Sequence, residues 1–379
     1  MSIKGTFREI TSFKNLLRAE RNISKGKKKY SLEVMSFRRD LEENLLDMQD
    51  SMKKLELPPT YYNSFLVYSP KVRRVIYIDY RSKIIQRAIY DVINPLVCNS
   101  FIEDTYSCIE GRGQLAAMQR LYGWFQDTRL DGRKWYYYKF DVAKFFYRID
   151  HEIMMDICRK MIGESRTVAP IEYYVCSNRK PFGMPLDGDH LTIREDEMLW
   201  DCGIPIGGGL SHMLGNMYLH PLDQYCKREL RIKKYIRYMD DIIIMDTDKR
   251  RLEWYRMKME IFVNERLRLE FNRKTALRPV SCGCEFVGYQ IFDDHVILRK
   301  QSTLRMRRNL AGVAHRYRIE KITFDRANQT VQSYKAMLKH ADSDRFEEKL
   351  WSSFVLTHGD PKEAEALPTP HIEDRRHDP

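Results

Sequence analysis

Hydrophobic and polar positions follow two different periods in the first hundred residues. Residues 36–57 carry apolar side chains at helical spacing, which predicts an amphipathic helix. Residues 65–80 alternate apolar with basic side chains about Pro70, which predicts the two strands of a hairpin. Helical spacing returns in residues 82–97, and Pro95 is expected to end that helix.

The middle of the chain changes from a strand pattern to a helix pattern and back. The aromatic run 134–146 predicts a buried strand ending near Asp141, and a helix is expected to begin around Asp150. Only short elements are expected in residues 164–202. A further helix follows the glycines at 207–209, with Ser211 as its predicted N-cap.

Residues 235–245, YIRYMDDIIIM, place two adjacent acids inside an apolar, β-branched run. This pattern predicts a hairpin with Asp240 and Asp241 at its tip. A helix at about 249–268, short strands, and a separate basic helical lobe at 299–355 are expected to follow. This order predicts an α+β fold with a split antiparallel sheet, which would bring Asp141 beside the hairpin tip.

Composition adds a preference for a polyanionic partner. The chain has 379 residues, of which 43% are hydrophobic, so it can form a substantial core. Its 65 Lys and Arg residues against 53 Asp and Glu residues give a net charge of +12, which favours nucleic acid. The cluster Lys25, Lys27, Lys28 and Lys29 is expected to contact a phosphate backbone; a solvated arm is the alternative.

Other features of the sequence argue against several classes of protein. No apolar run approaches the roughly 18 residues needed to span a membrane. The eight cysteines show no framework spacing and the N-terminus lacks a signal-like apolar segment, so a reducing cytoplasm is expected. Cys282 and Cys284 have no second pair at ligand spacing, which favours buried or turn cysteines over zinc.

Carboxylates that converge at a sheet edge repel one another unless positive charge lies among them. Oxygen ligands without His or Cys select Mg²⁺ or Mn²⁺, and two such ions support an in-line nucleotidyl transfer. Ordinary turn chemistry is the alternative explanation for an Asp pair, since Asp is common in hairpin turns.

A series of stretches in fixed order resembles motifs A to E of reverse transcriptases. They are FDVAKFFYRIDH (140–151), GIPIGGGLSHMLGNMYL (203–219), YMDD (238–241), LEFNRKT (269–275) and FVGY (286–289). Upstream, SPKVRRVI and FIEDTYSCIEGRGQLAA resemble the fingers blocks of the bacterial, group II intron-like enzymes. The resemblance covers roughly residues 30–290.

The resemblance implies a right-hand polymerase with fingers, palm and helical thumb. The implied segments are a basic N-terminal arm at 1–35, fingers at 36–134, a palm at 135–290 with a finger-like insertion at about 164–202, a thumb at 291–355 and a flexible tail at 356–379.

The resemblance also implies roles for individual residues. Asp141 and Asp240 match the principal metal ligands, with Asp241 beside them and the Val142 carbonyl as a further ligand. Phe146 matches the steric gate that crowds a ribose 2′-OH; core packing is its alternative role. The remaining matches are Lys71 and Arg73 at the triphosphate, Gly207 near the template base or nucleotide, Asn216 near the sugar, Lys274 as proton donor to pyrophosphate, and Phe286, Gly288 and Tyr289 in the primer grip.

Departures from the common pattern point to a specialised branch. Ile206 stands where most reverse transcriptases have Gln, and an apolar residue there is typical of diversity-generating retroelements; those usually read Ser-Gln, where this chain has Ser211 and His212. Ser82 and Lys83 replace the usual Asp-Arg of the finger helix.

The expected function is RNA-directed DNA synthesis with Mg²⁺ or Mn²⁺ on a dedicated noncoding RNA in antiphage defence, with dNTPs, a cDNA product and an accessory protein or oligomer. A mutagenic diversity-generating enzyme, a non-catalytic RNA-binding scaffold, and template-independent or RNA-synthesising polymerisation are the alternatives.

Overall fold

A computed structural model describes residues 5–68, 72–176, 180–189, 191–205, 209–273 and 275–357; the side chains of Lys27 and Arg73 lie outside this description. The helices are α1 (Thr6–Ile10), α2 (Phe13–Ile23), α3 (Leu32–Arg39), α4 (Leu41–Lys54), α5 (Tyr80–Cys98), α6 (Gln114–Asp131), α7 (Phe145–Arg148), α8 (His151–Ile162), α9 (Ser165–Cys176), α10 (Ser211–Gln224), α11 (Lys249–Leu267), α12 (Lys300–Arg318), α13 (Phe324–Leu338) and α14 (Asp344–Ser352). The strands are β1 (Tyr62–Val67), β2 (Arg73–Ile78), β3 (Tyr136–Asp141), β4 (Lys234–Tyr238), β5 (Asp241–Asp246), β6 (Ala276–Pro279), β7 (Cys284–Phe286), β8 (Tyr289–Ile291) and β9 (Val296–Leu298).

The chain divides into two compact units. Unit 1 comprises Met1–Ala117 and Trp135–Arg278, and unit 2 comprises Met118–Lys134 and Pro279–Pro379. The mixture of helices with antiparallel sheets confirms the predicted α+β class. Among the described residues no helix is both long and apolar enough to cross a bilayer.

The central sheet of unit 1 has the strand order β4-β5-β3-β6. Strand β3 pairs antiparallel with β5, and β5 pairs antiparallel with β4, as the sequence predicted. One sheet face carries Phe140, Ile242 and Ile244, which are fully buried in the same core as Met259 and Val263 of α11. The alternation of side chains along a strand therefore places Asp141 and Asp241 on the opposite face from this helix-packed core.

Several boundaries differ from the prediction, and proline accounts for two of them. Helix α5 continues through Pro95 instead of ending there. Helix α9 has Pro170 in its interior and occupies a segment for which only short elements were predicted. Burial of the surrounding apolar side chains outweighs the single backbone hydrogen bond that a proline removes, as Ile93 and Ile171 illustrate.

Two further predictions at helix ends are corrected. The helix predicted at 36–57 is divided between α3 and α4, because Asp40 leaves helical geometry at φ −121°. Ser211 does not cap α10; it is the first helical residue, and its Oγ donates a 2.6 Å hydrogen bond to the Pro205 carbonyl. The predicted start of a helix around Asp150 is confirmed: Asp150 is the N-cap of α8, and its carboxylate accepts from the Ile153 amide at 3.0 Å.

Unit 2 contains the three-stranded sheet β7-β8-β9 and the helices α12, α13 and α14. The predicted helical character of residues 299–355 is thus confirmed. Val313, Tyr317 and Ala327 form a buried cluster between α12 and α13. All eight cysteines are free thiols; Cys282 is exposed and Cys284 is buried.

Candidate active site

Asp141 and Asp241 are directly paired residues on the adjacent antiparallel strands β3 and β5. Directly opposed residues in such a pair have Cα atoms about 4.5–5.5 Å apart and side chains on the same face. Asp141 is exposed and Asp241 is half-buried. Two carboxylates that are 100 positions apart in the sequence numbering thus meet at one edge of the sheet, as predicted.

Asp240 lies in the two-residue turn that joins β4 to β5. Tyr238 pairs with Asp241, so Met239 and Asp240 form the loop of the predicted hairpin. Met239 has φ +58°, a left-handed conformation that tight hairpin turns require and that a side chain disfavours. Its side chain is buried, which fixes this turn against the core.

A lysine compensates part of the negative charge at this edge. Lys139 Nζ lies 3.0 Å from Asp241 Oδ1, and the strand alternation places Lys139 on the same face as Asp141. On the other side of β3, the Asn272 amide donates to the Asp141 carbonyl at 2.7 Å, and its Nδ2 donates to Asp141 Oδ2 at 3.5 Å. Asp141 is therefore paired with β5 on one side of β3 and hydrogen-bonded to Asn272 on the other.

The donor chemistry at this edge suits a hard divalent cation, because exposed or half-buried carboxylates from adjacent segments converge there. No set of three or more His, Cys, Asp or Glu side chains in the described part of the chain is gathered closely enough to enclose a metal ion. The metal-ligand assignments of Asp141, Asp240 and Asp241 stay predictions.

Phe146 lies on α7, directly after the strand that carries Asp141. The ring is half-buried and packs on Phe145 at a centroid distance of 5.1 Å and edge-on to His212 at 5.8 Å. Burial lowers the pKa of His212, so the imidazole next to Phe146 is held in its neutral form. Core packing and a steric-gate role are compatible for Phe146, and the second stays a prediction.

Gly215 on α10 brings three predicted motifs into contact. A Cβ atom at Gly215 would lie 3.1 Å from Phe145, 3.2 Å from Phe146 and 3.3 Å from the Met239 sulfur. These distances are tighter than ordinary van der Waals contact, so the absence of a side chain lets α10 approach both Phe146 and the turn that contains Asp240. Gly215 was not predicted as a site residue from sequence, although it stands immediately before Asn216.

Asn216 is fully buried beneath the turn. Its Nδ2 donates to the Ser107 carbonyl at 2.7 Å, and its Oδ1 accepts from Arg237 Nη1 at 3.1 Å. The structure thus gives Asn216 a supporting contact, and its predicted place near the nucleotide sugar stays a prediction. Lys139, Arg237 and Asp223 also support the site and were not predicted from sequence.

Several predicted residues lie outside the described residues or have only their backbone described. Lys71, Gly207 and Lys274 fall in the undescribed positions, and Arg73 begins β2 with its side chain undescribed. Val142 is buried, and its backbone forms an isolated bridge with Phe271. The roles assigned to these five residues stay predictions.

The predicted hairpin at FVGY is present in unit 2. Phe286 pairs with Tyr289 across β7 and β8, and both rings are buried. Val287 at φ +43° and Gly288 at φ +93° form the two-residue turn. The hairpin is confirmed, and its primer-grip role stays a prediction.

One family profile, described as reverse transcriptase (RNA-dependent DNA polymerase), matches residues 68–291, more than half of the chain. The chain belongs to the reverse transcriptase family. The matched range begins in the β1–β2 hairpin segment and ends with β8. It therefore includes Asp141, Asp240, Asp241 and the FVGY hairpin. No curated protein matches the sequence.

Solved telomerase structures resemble the fold at low identity. Apo telomerase from Candida tropicalis has a TM-score of 0.48 at 11% identity over 81% of this chain and 64% of that one. Telomerase from Candida albicans in complex with a fragment of telomeric RNA has a TM-score of 0.44 at 10% identity over 69% of this chain and 51% of that one. The reverse transcriptase chain described here thus spans less than two thirds of either telomerase.

Proposed function

We propose that this member of the reverse transcriptase family is an active RNA-directed DNA polymerase that uses two divalent cations, Mg²⁺ or in its place Mn²⁺. The observation that carries the proposal is the direct cross-strand pairing of Asp141 with Asp241 beside the turn that contains Asp240. In this proposal Asp141 and Asp240 hold the cations, with Asp241 and the Val142 carbonyl assisting.

The cations would activate the primer 3′-hydroxyl and stabilise the leaving pyrophosphate. Lys71 and Arg73 bind the incoming triphosphate in this scheme, and Lys274 donates a proton to pyrophosphate. Phe146 excludes a ribose 2′-OH, so dNTPs are selected. Gly207 and Asn216 complete the nucleotide pocket, and Phe286, Gly288 and Tyr289 position the primer.

The proposed template is a dedicated noncoding RNA, and the product is its cDNA. The net charge of +12 supports a polyanionic partner. The resemblance to the bacterial, group II intron-like enzymes, whose relatives include enzymes of antiphage defence that work with a partner noncoding RNA, supports a role in defence together with an accessory protein or oligomer. The cysteine pattern supports the cytoplasm as its location. Ile206 favours a second candidate, the mutagenic enzyme of a diversity-generating retroelement. We propose residues 36–134, 135–290 and 291–355 as fingers, palm and thumb.

The decisive experiment measures dNTP incorporation on a primed RNA by Asp141→Asn and Asp240→Asn. Both substitutions keep the side-chain shape but remove a ligand charge, so incorporation should fall by a factor on the order of 10³ or more while cooperative unfolding is retained. Asp246→Asn is the matched control, because Asp246 lies at the end of β5 that is farthest from the turn containing Asp240 and pairs with Arg251; it should retain incorporation.

Substantial polymerisation by either active-site variant would overturn the proposal. Retained biological activity in Asp240→Asn would instead support the non-catalytic scaffold. Sequencing of copurified RNA and DNA separates the remaining candidates: a homopolymer or short-repeat product indicates defence, and a gene-segment copy altered at adenines indicates diversification.

A further inference from the structure

Arg237 is a fully buried arginine in strand β4, three residues before Asp240. It pairs with Ile242, so its side chain lies on the helix-packed face of the sheet. Its guanidinium makes a two-point contact with the equally buried Asp223 of α10: Nε to Oδ1 at 2.7 Å and Nη2 to Oδ2 at 2.6 Å. An arginine fork is suited to this geometry, and a lysine is not.

The same guanidinium reaches the acidic turn. Arg237 Nη1 donates to the Met239 carbonyl at 3.0 Å and to Asn216 Oδ1 at 3.1 Å. The Met239 carbonyl and the Asp240 amide belong to one planar peptide unit. A hydrogen bond that holds the Met239 carbonyl therefore also holds the orientation of the Asp240 amide.

The turn needs such a support because Met239 has φ +58° although it carries a side chain. Asp223, the partner of Arg237, is held in place by further hydrogen bonds: its carboxylate also accepts from Tyr235 Oη at 2.6 Å and from Thr105 Oγ1 at 3.1 Å. The backbone of the 104–106 segment adds two hydrogen bonds to the Arg237 backbone, at 2.9 and 2.8 Å.

We propose that Arg237, anchored by Asp223, is a positioning residue that orients the turn presenting Asp240 for metal-dependent catalysis. This inference rests on the proposed polymerase function. A buried ion pair is by itself weak support for stability, since well-packed apolar residues of similar volume often replace it without loss. What apolar residues cannot replace is the hydrogen bond to the Met239 carbonyl.

The test separates stability from positioning with a double variant. Asp223→Leu together with Arg237→Met removes both charges, so no unpaired ion remains in the core, but it also removes the donor to Met239. Arg237→Lys keeps the charge and loses the fork. Tyr235→Phe is the matched control, because it removes a hydrogen bond to the same carboxylate and leaves the Arg237 contact to the turn intact.

Three measurements are made on each variant: the urea midpoint, kcat and KM for dNTP on a primed RNA, and Mn²⁺ binding by electron paramagnetic resonance without turnover. We expect the double variant and Arg237→Lys to lose about 10²-fold in kcat, with a much smaller change in KM. Mn²⁺ binding should weaken about 10-fold in both. Tyr235→Phe should keep kcat and Mn²⁺ affinity even where its urea midpoint falls.

A cooperatively folded double variant with unchanged kcat and Mn²⁺ affinity would overturn the inference. Failure of both Arg237 variants to fold would overturn it as well, because the pair would then act on the whole of unit 1 and not on the turn. Asp240→Asn separates failure of the proposed polymerase function from failure of the inferred role of Arg237. If Asp240→Asn retains incorporation, the proposed function fails. If Asp240→Asn is inactive and the double variant is active, only the inference about Arg237 fails.

Discussion

Lys139 Nζ and Asp241 Oδ1 are 3.0 Å apart at the edge of the central sheet, where Asp141 lies directly opposite Asp241. A lysine in this place reduces the repulsion between neighbouring carboxylates in the absence of a metal ion. Lys139 and a bound divalent cation are therefore both expected to reduce the repulsion between the carboxylates of Asp141 and Asp241.

Lys139→Met should make the protein more dependent on divalent cations. The pair is partly exposed, so the loss in the free energy of unfolding without metal should be at most about 1 kcal/mol, or roughly 2–4 °C in Tm. Added Mg²⁺ should raise the Tm of the variant more than that of the wild type. Thermal unfolding in EDTA and in Mg²⁺ measures this, and Lys139→Arg is the charge-conserving control. Equal Mg²⁺ responses in all three proteins would contradict the prediction.

Phe146→Ala should relax discrimination against ribonucleotides. The ring is half-buried against Phe145 and His212, so its removal opens space and should cost less than the roughly 3–5 kcal/mol of a fully buried Phe. The ratio of kcat/KM for dNTP to that for rNTP should fall at least about tenfold, an effect of about 1.4 kcal/mol. Phe146→Tyr keeps the bulk and should keep the ratio; an unchanged ratio in Phe146→Ala would show that the ring only packs.

Gly215→Ala should disturb the site although alanine favours helices. The new Cβ would lie within 3.3 Å of Phe145, Phe146 and Met239, so crowding should cancel the gain of about 1 kcal/mol in helix propensity and lower kcat. Gly312→Ala on α12 is the matched control, because its Cβ would meet nothing within 4 Å. Chemical denaturation and incorporation assays compare the two. A Gly215→Ala protein as stabilised and as active as Gly312→Ala would refute this expectation.

Acid should destabilise the fold through two histidines of α10, His212 and His220. Burial lowers the pKa of His212 and of His220 below the ordinary 6.5, so the unfolded chain binds more protons than the folded one. The contribution of each histidine to the free energy of unfolding is fully present above pH 6.5 and is lost as the pH falls below it. The loss is at most about 1.4 kcal/mol per pH unit for each histidine, and less for His212, whose side chain is also reached by solvent.

Urea midpoints at pH 7.5 and 5.5 measure this loss. His212→Asn and His220→Asn should each reduce the difference between the two midpoints. His315→Asn on α12 is the control substitution, and an equal reduction there would show that the effect is not specific to His212 and His220. A wild-type protein equally stable at both pH values would contradict the assignment.

The strongest local patterns predicted the elements at the acidic edge. Strand β3, the hairpin of β4 and β5, and helix α11 each follow from apolar alternation or helical spacing with a clear boundary, and these elements bring Asp141 to Asp241. Helix α9 was not predicted because residues 164–202 show a mixed pattern. Its interior Pro170 also argues against a helix, and only the packing of Ile171 and Tyr174 reveals that the proline is tolerated.

The supporting contacts could not be predicted for a different reason. Arg237 stands in an apolar run where an isolated cation usually indicates a solvent-facing position, and its partner Asp223 lies on α10. Lys139 carried a detectable signal, because it is two residues before Asp141 on the same strand and must share its face. Pairing across the sheet, which determines whether such a lysine reaches Asp241, depends on the register and not on local sequence.

The contact between Asn272 and Asp141 links two predicted steps of the reaction. Asn272 holds the Asp141 backbone through a 2.7 Å hydrogen bond, and Lys274 follows only two positions later in the chain. A predicted ligand of the cations and a predicted proton donor are therefore joined by a very short tether. In the proposed reaction, a displacement of the segment after Asn272 when pyrophosphate departs would act on the end of β3 through this hydrogen bond, which would couple release of one product to readiness for the next nucleotide.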